Sequence, residues 1–257
     1  MTQGFSGVGL VNIHTRTATG GKGIGRFIGN CPKLSIKFNP KTVERNESMF
    51  TARSPLRRMT QATQAQIELV TDEFNKKNFA LAVRGRIDEV VADAATTLNT
   101  VFPLGTVVGD VLSLGKYNVN TVVITDSTGA PKTLVAGVNY VVDLFSGDVS
   151  LIDLTVGGPY VLPLKGAFKQ GAVTVMSGLA VADTELWISM NGTNADDGQK
   201  GVLDCYRVRL DPTQSIDFIN NDYQDFAISG SVLIDGTKQA SAIGGQNFAF
   251  AVPSTHE

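Results

Sequence analysis

The sequence predicts a mainly β protein with one short flanking α-helix, a long loop and terminal arms. Three observations carry that prediction. Apolar residues recur with period two in many short runs, the mark of half-buried strands. Glycine is abundant, at 27 of 257 residues, and Val, Ile and Thr are frequent, which suits strands joined by tight turns. One segment, Gln61–Gly85, reads differently: a strand that runs straight into a helix.

In chain order, residues 1–33 have little periodicity. Gly20, Gly21, Gly23, Gly25 and Gly29 make them read as a flexible N-terminal arm. Leu34–Phe38 alternates Leu34, Ile36 and Phe38 with Ser35 and Lys37, a half-buried strand. Residues 39–60 carry few apolar side chains but include Lys41, Glu44, Arg45, Glu47, Arg53, Arg57 and Arg58, and read as a long loop. Loops of that length in compact domains are usually functional or bound to a partner. The bland alternative is a solvated surface loop.

Gln61–Val70 alternates again, with Ala65, Ile67 and Leu69 on one face and Gln64, Gln66 and Glu68 on the other. Thr71 reads as an N-cap, Asp72 and Glu73 suit the positive end of a helix dipole, and Gly85 reads as the terminating glycine. The helix predicted over 72–84 is only about 20 Å long and must pack to persist. Phe74 and Leu81 fall on one side of it, Phe79 and Val83 nearly on the other. A helix apolar on two sides is buried on two sides, one against its own sheet and the other against a neighbouring subunit. Phe79, Leu81 and Val83 also alternate as a strand would.

Val101–Asp153 reads as a β unit of its own. Strands are predicted at 107–112, 121–125 and 140–144, and a hairpin turns at Phe145-Ser-Gly-Asp148. Strands resume at 172–176, 185–190, 202–210 and 226–234, with polar turns at 191–201 and 211–221. Residues 244–257 read as a last strand or a C-terminal arm.

Composition narrows the function. Apolar residues at 42% and charged residues at 18% permit a real core. A net charge of −2 argues against a broad electrostatic grip on nucleic acid. Cys31 and Cys205 give no disulfide framework or metal spacing and read as two free, buried thiols, with one disulfide between them as the alternative. No charged segment followed by an apolar run opens the chain, and no stretch nears the roughly 20 apolar residues of a membrane span. The chain is expected to be made in a cytoplasm and to stay soluble until it assembles.

No residue cluster announces a catalytic chemistry. Gly23-Ile-Gly25-Arg-Phe-Ile-Gly29 misses the dinucleotide-binding spacing by one residue. His14 and His256 lie near opposite termini, where a general base would lack a fixed setting. Asp196-Asp197 reads as a solvated turn rather than a calcium loop. The expectation is a non-enzymatic protein without cofactor or metal.

Gln61–Gly85 resembles the strand–helix segment of phage major tail proteins, the tail tube proteins. Gly137-Val-Asn-Tyr140-Val-Val-Asp143 with Gly147-Asp-Val149 is similar to a hairpin common in phage tail proteins, and Phe226–Asp235 to a late strand of tube subunits. The resemblance implies a β-sandwich or half-barrel whose subunits form rings, usually hexameric, stacked into a tube that conducts DNA. It implies a tube domain from 34–100 plus 166–243 and an outer insertion at 101–165. Gln64, Gln66 and Glu68 become candidates for a polar, weakly acidic lumen wall that lets DNA pass without specific binding. Phe74, Phe79, Leu81 and Val83 become the candidate inter-subunit helix, and Arg45, Arg53, Arg57 and Arg58 the inter-ring loop. Expected partners are copies of itself and other tail proteins such as the tape measure and terminator, with no membrane. The expected location is the virion tail, assembled in the bacterial host cytoplasm. The alternatives are another virion protein (a terminator, baseplate or decoration protein) or a β-sandwich carbohydrate-binding or adhesion module.

Overall fold

The computed structural model describes residues 6–49, 55–182, 184–221, 223–238 and 245–253. Among them it is mainly β with one short helix. The chain divides into two compact units, Met1–Ile87 with Met176–Glu257, and Asp88–Val175.

The first unit begins with β1 (Gly7–Arg16), β2 (Lys22–Phe27), β3 (Lys33–Asn46), β4 (Pro55–Thr71) and α1 (Lys76–Ala82), and β5 (Arg86–Val90) runs across the boundary between the units. The second unit holds β6 (Asp93–Val101), β7 (Val111–Ser113), β8 (Val119–Thr125), β9 (Tyr140–Asp143), β10 (Asp148–Leu151) and β11 (Lys165–Gln170). The chain then continues through β12 (Val173–Ser177), β13 (Glu185–Asn194), β14 (Lys200–Leu210), β15 (Phe226–Val232) and β16 (Phe248–Ala251).

In the first unit one sheet runs in the order β2-β1-β13-β14-β15-β4-β3, with β16 pairing further along β14. Its core lies on one face. Val11 and Ile13 of β1, Ile67 and Leu69 of β4, Ile188 of β13, Val208 of β14 and Ile228 of β15 pack there with Phe79 and Ala82 of α1. Each fully buried branched side chain contributes about 1.5–3 kcal/mol. Period-two alternation therefore assigns the faces of this sheet correctly. The second unit pairs β7-β10-β9 and β6-β11-β8 around a separate core that includes Ile124, Val149 and Phe168.

Three sequence expectations need correction. Much of the predicted N-terminal arm is structured, because β1 pairs residue by residue with β13 and β2 pairs with β1. The glycines that hid these strands serve close packing: a Cβ on Gly25 would lie 2.0 Å from the His14 ring. The predicted 39–60 loop is instead the outer part of a β3–β4 hairpin, paired from Lys33↔Val70 to Asn46↔Pro55. Most of its side chains are exposed, so no apolar alternation marks it. The inserted unit is also wider than 101–165, since β6 and β11 pair with each other and β11 with β8.

Helix α1 is shorter and starts later than predicted. Thr71 belongs to β4, and Asn75 is the N-cap, its side chain accepting from the Lys77 and Asn78 amides. At the other end Arg84, with φ 49°, takes the left-handed conformation expected of Gly85. Gly85 is needed for a different reason: a Cβ there would sit 2.7 Å from the Ser177 carbonyl oxygen.

Candidate functional site

The sheet face opposite the core is polar across most of its width. Strand alternation puts Lys33, Ser35, Lys37 and Asn39 of β3 on it, beside Gln64, Gln66 and Glu68 of β4 and Ser229 and Ser231 of β15. Gln64 and Gln66 are exposed and Glu68 is half-buried. The three candidate lumen residues thus share one face, but that face is not the weakly acidic wall expected. Lys33 Nζ lies 2.8 Å and Lys37 Nζ 2.6 Å from the Glu68 carboxylate. Their hydrogen bonds hold its pKa down to about 2. Asn39 Nδ2 donates to Gln66 Oε1 at 3.0 Å. The face mixes such paired groups with unpartnered ones, Ser35 Oγ being buried without a hydrogen bond among the described residues.

Farther across the same face stands a charged network that single-residue reading missed. Glu185 of β13 accepts from Arg207 Nη2 at 2.6 Å and lies within 3.5 Å of Arg16 and Arg209. The Arg207 hydrogen bond, with the nearby arginine charges, lowers its pKa. Arg16 also reaches the fully buried Asp235 at 2.6 Å. Burial would raise the Asp235 pKa, but hydrogen bonds from Thr237 and the Arg16 guanidinium outweigh it. In sequence these groups appear only as scattered charges: Arg16 on β1, Glu185 on β13, Arg207 and Arg209 on β14, and Asp235 just past β15.

His14 Nε2 and Ser189 Oγ are 3.0 Å apart. Ser189 is 1% exposed, so the contact ties β1 to β13 without offering a nucleophile to a substrate. Trp187 packs edge-on to Tyr206 at 4.9 Å and donates to Asp204. Cys205 is buried, and burial pushes its pKa up to about 12. Cys31 is only half-buried, contrary to expectation, and its pKa is also raised by burial. Both are free thiols, and the raised pKa values disfavour the reactive thiolate.

The four candidate helix residues do not share one environment. Phe79 is buried in the core, and Leu81 and Val83 pack partly buried against the same cluster. Phe74 precedes α1 and is 63% exposed. The inference of two-sided burial is therefore revised. Leu81 borders a cavity of about 460 Å³ that Ile13, Arg26, Leu186 and Leu210 of the same chain also line. Asn78, fully buried, secures the helix: its Nδ2 donates to the carbonyls of Ile28 and Glu73, and its Oδ1 accepts from Arg26 at 2.6 Å.

Three of the four candidate loop arginines lie on the β3–β4 ribbon; Arg53 lies outside the described residues. Arg58 sits 3.4 Å from Glu44. Arg45 stands directly opposite Arg57 in the register, and Val43 directly opposite Met59. One ribbon face therefore alternates an apolar pair with a like-charged pair, and the latter is unfavourable in isolation.

No curated protein matches the chain. A family model matches residues 4–250, almost the whole length, and the chain belongs to that family, described as protein of unknown function UCP028589.

Proposed function

We propose that the chain is a structural virion protein, the subunit of a phage tail tube or of a tube-like relative. The observation that carries this reading is the two-faced sheet of the first unit. One face is closed by α1 and the core, the other is polar across most of its width, and among the described residues β2 and β3 end the sheet with one neighbouring strand each. Long open edges are aggregation hazards that proteins must cover or pair. Pairing the β2 edge of one copy with the β3 edge of the next satisfies both, and a head-to-tail contact closes into a ring when its rotation permits.

A ring built this way turns the polar face inward or outward as one wall. The carboxylates of Glu68 and Glu185 partly neutralise the cations around them, which weakens the hold of this face on a passing polyanion. The resemblance of Gln61–Gly85 to tail tube segments points the same way.

Negative-stain microscopy of the purified chain tests the reading. Stacked rings or tubes with a central hole are expected. A stable monomer at high concentration that binds glycans would overturn it in favour of a carbohydrate-binding module.

A further inference from the structure

We propose that the basic ribbon of one copy docks on an acidic aromatic face at the far end of β4 in a second copy; this rests on the assembly reading above and names its longitudinal contact. Large aromatic and aliphatic side chains cluster at that end of the sheet. Phe74 is 63% exposed, Phe218 78%, Ile219 97% and Tyr223 98%. Phe74 and Phe218 are continuous with the core, since the Phe74 ring lies 5.6 Å from Phe226 and the Phe218 ring 6.1 Å from Phe79, and Ile219 and Tyr223 extend the exposed segment that follows Phe218. Exposed apolar clusters rooted in a core are characteristic of interaction surfaces.

The charge of this face selects the partner. Segment 211–225 contains four aspartates and no Lys or Arg. Asp217 and Asp225 are exposed beside the aromatic groups. The partner therefore presents apolar side chains interleaved with cations. The ribbon face formed by Val43, Met59, Arg45 and Arg57 has that chemistry, and its two arginines stand directly opposite each other in the register. Docking aspartates against them relieves the repulsion while the apolar pair covers the aromatic face.

Geometry makes the contact intermolecular. Arg57 lies near the start of β4, and Thr71, which pairs with Phe226, at its end. Fourteen residues of strand separate them by roughly 45 Å. One copy cannot join its own two surfaces, so each copy offers a ribbon at one end and a receptor at the other. Contacts of this kind are head-to-tail and propagate as a stack.

The test uses the full chain with two double variants, Ile219→Ser/Tyr223→Ser and Arg45→Glu/Arg57→Glu, each checked for native circular dichroism and thermal melting. The replaced side chains are exposed, so both variants fold. Sedimentation velocity and negative-stain microscopy are expected to show loss of stacking, with single rings retained. A quadruple variant that adds Asp217→Arg/Asp225→Arg to Arg45→Glu/Arg57→Glu is expected to recover stacking. Tubes of unaltered length from both double variants would overturn this contact while leaving the tube reading intact. Recovery failing in a folded quadruple variant would also overturn it. Ringless linear filaments of the wild type, abolished by either double variant, would support the contact and overturn the tube. A wild type that stays monomeric at every concentration would overturn both.

Discussion

At the scale of single residues, carboxylates on the polar side of the sheet are each shared among several cations. Glu68 shows the consequence for pH. Its folded pKa of about 2 lies below the ordinary carboxylate value of about 4.3. The stabilisation from Lys33 and Lys37 is therefore complete above that ordinary value and is lost as pH falls towards 2. Glu68→Gln should lower the Tm at neutral pH and flatten the acid limb of the Tm profile between about pH 4.5 and 2. Asn78→Ala should cost more, about 2–3 kcal/mol in urea unfolding, because it strands the buried Ile28 carbonyl and an arginine partner together. Alternation read from the sequence identifies the face of Gln64, Gln66 and Glu68. It cannot identify Lys33 and Lys37 as the neighbours of Glu68, because that pairing depends on the register between strands.

At the scale of elements, legibility follows apolar content. Strands β13, β14 and β15 and the inner part of β4 bury apolar residues on one face and are readable within a few positions, whereas the first six residues of β4 are not. The ribbon, β2 and β6 bury almost nothing, so backbone pairing holds them and no apolar period marks them. Helix α1 is legible as a helix, but its start is not: Thr71 and Asn75 are both competent caps, and the choice falls to the extension of β4 through its pairing with Phe226. Asn75→Ala should cost about 1 kcal/mol, measured by denaturant unfolding. Deleting 44–59 and closing β3 to β4 with a short turn should leave the first unit folded, since its core lies elsewhere. The same deletion should abolish long tubes; microscopy showing tubes of normal length would refute the bridging role of the ribbon.

At the scale of the whole molecule, the mainly β class and the existence of an inserted unit are readable from the chain, while the limits of that unit are not. Strands β6 and β11 carry residues such as Asp93, Thr96, Lys165 and Lys169, whose strand character comes only from a partner some seventy residues away. The chain leaves the first unit at β5 and returns at β12, and these two strands pair with each other. At the first unit's end of that pair, Gly85 lies against the Ser177 carbonyl and the Leu179 amide donates to Val83. Replacing 91–172 with a two-residue turn should therefore yield a soluble protein with the circular dichroism of a folded β domain and the assembly behaviour of the full chain. The β5–β12 pair is then a socket. Whatever the inserted unit does can be removed, exchanged or elaborated in evolution and in the laboratory, at a position where the rest of the fold already closes upon itself.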